Sequence, residues 1–210
     1  MKELDLLKKD WKKKENTFEQ ISETEIYKMI HKKSSSIVKW IFIISVLEVV
    51  LWLSVSLFFN TDLELEKLHN NTLTTWFEVL TIVNYVVIAV FIILFYRNYT
   101  KITTTVTTKQ LMNDILKTRK TVQYYVWYNL GMFGISMIMG LVFAFFYNPE
   151  TAVLKDHILK SDKAIIFSIL VIALIFLVFF GLFWLFYRLL YGILLKKLHT
   201  NYNELKKIDL

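Results

Sequence analysis

Apolar residues in this chain gather into four long runs, Ile37–Phe59, Trp76–Tyr96, Val122–Tyr147 and Ala164–Tyr187, separated by polar stretches. A helix needs about 20 largely apolar residues to cross the ~30 Å hydrocarbon layer of a bilayer, and each run supplies them. None alternates with a period of two, which disfavours a membrane β-barrel. One proline and five glycines leave the runs little interrupted. The pattern predicts an all-α membrane protein with four transmembrane helices in an antiparallel bundle. Trp40, Trp76, Tyr96, Tyr124, Tyr125, Tyr147, Trp184 and Tyr187 lie near the ends of the runs, where an aromatic belt would place them.

The polar stretches divide the chain into an N-terminal arm (1–36), a four-span membrane domain (37–195) and a basic tail (196–210). In the arm, Leu4, Leu7 and Trp11 fall on one face of a short helix, either solvated or lying on a lipid surface. Ser22 and Glu25 have capping-box spacing, and Ile21 and Ile26 flank them as a hydrophobic staple would. A helix is therefore expected to start at Glu23 and run into the first span. The β-branched segment "TTTVTT" predicts a break after the second span, and Thr107 with Gln110 again has capping-box spacing. "NPETAVLKDHILKSDK" reads as a short helix capped by Asn148, with Pro149 at its first position. The fourth run is expected to outlast the bilayer, continuing through Arg188 into an amphipathic tail.

Charge decides the orientation. Residues 1–36, 97–121 and 188–210 carry nine, six and five Lys and Arg, whereas 60–75 and 148–163 carry one and three, with Lys39 inside the first span. Such asymmetry puts the rich side in the cytoplasm. Both termini are thus expected there, in a multi-pass inner-membrane protein. Lys32, Lys33, Lys39, Lys117, Arg119 and Lys120 form a candidate basic collar for lipid headgroups. The first run begins after a charge-rich arm of 36 residues, so it reads as an anchor and not as a cleavable signal. The absence of cysteine removes disulfides, thiolate metal sites and cysteine nucleophiles.

One carboxylate stands out. Glu48 is eleven residues from Ile37, or ~16 Å into the first span, and Asn84 is ~12 Å in from the opposite side. Both are expected near mid-membrane, where the Asn84 amide can pair with Glu48; Ser45, Tyr85 and Asn129 are further partners. No Lys or Arg is expected at that depth. Glu48, Asn84 and Asn129 are the candidate intramembrane cluster, either structural glue between helices or a coupling site. Gly131, Gly134, Ser136 and Gly140 are the candidate helix-packing positions in the third span. His31 and His199 are expected on one side of the membrane and His69 and His157 on the other, so they cannot share a metal ion. No GxSxG, P-loop, HExxH or EF-hand pattern is present. No metal, cofactor or enzymatic activity is expected.

The blocks "EIYKMIHKKSSSIVKWIFIISVLE" and "LKTRKTVQYYVWYNL" resemble a family of small bacterial inner-membrane proteins of unknown function, often automatically labelled beta-carotene monooxygenase. That label implies a soluble β-propeller holding iron with four histidines, which the size and histidine placement here do not fit. The resemblance supplies no functional residues. The expected partners are the lipid bilayer and a cytoplasmic protein, with a homo-oligomer as the alternative, and no nucleic acid. The expected role is a non-enzymatic interaction or regulatory protein that presents basic cytoplasmic segments. A small transporter or channel built around Glu48 is the alternative.

Overall fold

A computed structural model describes residues 22–58, 71–146 and 151–208. All of its regular elements are helical. Helix α1 spans Glu23–Phe58, α2 Asn71–Thr104, α3 Thr108–Phe146, α4 Ala152–Leu159 and α5 Asp162–Tyr187. A single π turn, Arg188–Gly192, joins α5 to α6, Ile193–Ile208. Four helices are long and apolar enough to cross a membrane, the last being α5 continued through the π turn into α6. The expected helix carrying Leu4, Leu7 and Trp11 lies outside the described residues, as do Asn148, Pro149 and His69.

Local chemistry explains the helix ends. The Ser22 hydroxyl accepts from the Glu25 amide at 3.3 Å, capping α1 at the expected residue. The break foreseen in the Thr-rich segment falls at residues 105–107, after which α3 begins with the Leu111 amide donating to the Thr107 carbonyl. The last carbonyls of α2 have no partners within their own helix. His31 Nε2 lies 2.7 Å from the Ile102 carbonyl oxygen, and the Tyr27 hydroxyl donates to that of Thr105. Two side chains of α1 thus close the end of α2.

The buried positions follow a three-four spacing. On α1 they are Ile30, Ser34, Val38, Ile41, Ser45 and Glu48; on α3 Leu111, Ile115, Thr118, Val122 and Tyr125 keep that spacing, with Leu130 buried beyond them. This is the seam of a left-handed helical bundle. On the fourth rod the buried residues are Tyr187, Tyr191, Leu198, Asn201 and Leu205. With Phe183, which packs against Tyr187, these residues repeat the spacing of α1, and the π turn falls among them at Arg188–Gly192.

Burial is concentrated at the lysine-rich end. There Ile30, Val38, Ile102, Leu111, Ile115, Leu198 and Leu205 form one core, and a second lies directly above it around Ile41, Phe95, Val122 and Tyr125. Ser34 accepts from the Asn201 amide at 3.0 Å, so the first and last described helices meet side by side in this head. Toward the other end, α5 has no buried side chain before Tyr187. Trp40, Trp76, Tyr96, Tyr124 and Trp184 are exposed, as a belt requires, whereas Tyr125 and Tyr187 are each 1% exposed and belong to the core.

Candidate functional site

Glu48 sits on the α1 seam and is 5% exposed. Three tyrosines surround its carboxylate. Tyr125 donates to Oε2 at 2.9 Å, Tyr191 donates to the same oxygen at 3.0 Å, and Tyr187 donates to Oε1. Each tyrosine arrives by seam geometry: Tyr125 is in phase with Leu111, Ile115 and Val122, while Tyr187 and Tyr191, four residues apart, share one face of their rod. Their rings are held by one another and by α2. Tyr125 meets Phe91 and Phe95 edge-on at 5.4 and 5.3 Å, and Tyr187 stacks against Tyr191 at 6.0 Å. The cost of burying a carboxylate is offset here by three hydroxyl donors.

This geometry corrects the expected pairing of Glu48 with Asn84. The Asn84 carbonyl oxygen instead accepts from Tyr128 at 3.1 Å. Asn129 donates to the Tyr125 carbonyl at 2.8 Å, and the Ser45 hydroxyl returns to the Phe42 carbonyl at 2.7 Å. Phe42 faces Tyr96, with ring centroids 5.8 Å apart, and Glu48 lies six residues beyond, a rise of ~9 Å along the helix.

Nor is that level free of basic residues. Arg188 follows Tyr187 directly, but its guanidinium lies 4.9 Å from the Trp184 ring and lines a separate groove with Trp127 and Leu195. Among the described residues Glu48 therefore has no cationic partner. Beside it is a cavity of about 490 Å³ between α1, α2, α3 and α5, lined among others by Glu48, Trp52, Asn84, Asn129, Phe133 and Tyr187. Asn84 and Asn129 thus share a chamber with Glu48 without bonding to it. The lining contains no Lys, Arg or His.

The glycine positions divide. A Cβ built on Gly134 would meet Phe180 at 3.6 Å, whereas nothing lies within 4 Å at Gly131 or Gly140. Ser136 lines the cavity. Among the described residues, Gly134 is the one glycine of the three whose side of α3 meets a facing side chain.

The basic collar is likewise uneven. Lys39, Lys117 and Lys120 are exposed, and Lys120 sits 5.7 Å over the Tyr124 ring. Lys32 and Lys33 are exposed too, but ~14 Å below the level of Phe42, on the head. Arg119 does not face headgroups: its Nη1 donates to His199 Nδ1 at 2.8 Å, between α3 and α6. Its buried Nε has no hydrogen-bond partner.

No curated protein and no solved structure is detectably similar to this chain. Residues 24–210, which take in both helical cores, the tyrosine clamp and the cavity, match the Domain of unknown function (DUF8845), and the chain belongs to that family.

Proposed function

We propose that this is a non-enzymatic regulatory membrane protein whose lysine-rich head faces the bacterial cytoplasm and docks a protein partner with an acidic surface. The observation that carries this reading is the continuity of the rods. All four spanning helices run on past the aromatic belt into a head with its own buried core. A chain that needed only an anchor would have no use for that core. Lys28, Lys32, Lys33, Lys101, Lys109, Lys117, Lys196 and Lys197 are exposed on it, against Glu23, Glu25 and Glu204. Such a surface steers and selects acidic partners. The lysine asymmetry along the chain supports the cytoplasmic side.

A photo-reactive residue at Lys33 or Lys117 tests the reading in cells. A discrete cross-linked product that disappears when Lys32, Lys33 and Lys197 are changed to Glu is the expected result. Absence of any product from a folded, membrane-inserted protein counts against it.

The cavity at Glu48 favours a second reading, in which a small transporter or channel uses that carboxylate for coupling. Glu48→Gln separates the two. A regulatory role expects normal partner cross-linking, and coupling expects loss of uptake in proteoliposomes.

A further inference from the structure

The carboxylate of Glu48 is held in place by neutral donors and lacks a counter-charge among the described residues. Oε2 receives two hydroxyls and Oε1 receives one, so one of its roughly four acceptor positions stays open. The nearest guanidinium along the rod, Arg188, is committed to Trp184 in another groove. Hydroxyl dipoles spread the charge but do not cancel it, and in a weakly polar interior that charge acts over a longer range than in water.

The walls beside it are aromatic. Trp52 is 40% exposed and lies 5.8 Å from Phe183, which stacks on Phe133 at 4.0 Å. Ring faces attract cations, most strongly when water is excluded. The size of the chamber, about 490 Å³, falls in the range that accommodates small organic molecules. A bare metal ion suits it poorly. Calcium takes six to eight oxygens and magnesium an octahedral set, whereas the carboxylate oxygens here are already engaged by tyrosines, the Asn84 oxygen by Tyr128.

We propose that the cavity beside Glu48 binds a lipophilic organic cation, its charge directed to the carboxylate and its apolar groups against Trp52, Phe133 and Phe183. The inference deepens the second reading by naming a ligand class for the same site, and it requires binding only.

The test uses the full chain in lipid nanodiscs and three probes of similar bulk: tetraphenylphosphonium, the neutral triphenylphosphine oxide and the anion tetraphenylborate. Binding is read by calorimetry and by quenching of tryptophan emission. The expected result is a tetraphenylphosphonium Kd at least tenfold below that of either control, a preference abolished by Glu48→Gln. Because that variant disturbs the tyrosine clamp, Trp52→Ala is measured beside it; it leaves the clamp intact and is expected to weaken cation binding about fivefold or more. Equal affinity for cation and neutral probe, no binding by folded wild-type protein, or a preference that survives both substitutions would overturn the proposal. Charge-selective binding without uptake in proteoliposomes supports it and overturns the coupling reading alone.

Discussion

At the scale of single residues, the tyrosine clamp is the feature most open to measurement. Tyr187→Phe removes the donor to Glu48 Oε1 and leaves a buried acceptor short of a partner. An unsatisfied buried group costs about 1–3 kcal/mol, more when charged. Thermal unfolding in detergent should show that loss for Tyr187→Phe and Tyr125→Phe, and little change for Tyr124→Phe, whose side chain is exposed. The glycines give a second contrast. Gly134→Leu must displace Phe180, so it should lower stability by about 1–3 kcal/mol. Gly140→Leu meets open space and should alter stability by less than about 0.5 kcal/mol. Equal effects at the two positions would show that Gly140 has a contact outside this chain.

Glu48 announced itself in the sequence, because an ionisable residue inside an apolar run has few innocent explanations. Its partners did not. Tyr125 and Tyr187 sit close to lysines and arginines, and by position alone they read as belt residues. The signal that assigns them is phase: Tyr125 continues the spacing of Leu111, Ile115 and Val122, a pattern visible without coordinates. Tyr187 and Tyr191 are harder, since the run before them is apolar on every face and shows no phase. Arg119 was misread for a related reason, because its proximity to Lys117 and Lys120 concealed that it lies on the face turned toward α6.

Among the elements, the rod of α5 and α6 has the sharpest consequence. Inserting one alanine after Leu195, within α6, would rotate the rest of that helix by ~100° about its axis relative to α5. Leu198, Asn201 and Leu205 would then leave the head's core together. Limited proteolysis should find the tail of that variant cleaved rapidly while the spans stay protected; an unchanged digestion pattern would show that the rod absorbs the added residue. Element boundaries were otherwise legible. Helix α1 begins where the Ser22 cap indicates, and the gap between α2 and α3 falls in the threonine run. Those ends are set by local chemistry, and local chemistry is what a sequence displays. The continuity of α1 from the head into the first apolar run was also foreseen, as was packing of the Leu111 and Ile115 stripe against neighbouring helices, whereas the set of residues that builds the head's core was not. Such a core depends on four distant segments converging, and Ser34 with Asn201 gives no hint of it in either neighbourhood alone.

For the whole molecule, the testable quantity is sidedness. The chain has no cysteine, so single cysteines at Lys33 and Thr75 report without background. A membrane-impermeant maleimide applied to intact cells should label the second and spare the first until the membrane is opened. The reverse pattern would put the lysine-rich head outside and remove the ground for a cytoplasmic partner. Salt offers a further check, since an acidic partner held by exposed lysines should dissociate as ionic strength rises from about 0.05 to 0.5 M.

The position of the clamp along α1 also has a mechanical meaning. Glu48 divides that rod unequally, ten residues to Phe58 and 25 to Glu23, or arms of ~15 Å and ~38 Å. If the three phenols serve as a fulcrum, a 2 Å sideways push at the short arm swings the long one by ~5 Å, the ratio of the arms set by the helix rise. Spin labels at Phe58 and Glu23, each measured against a fixed site on α3, would register that amplification when the lipid is exchanged for one with shorter tails. Equal displacements of the two labels would mean that the rod slides and does not pivot.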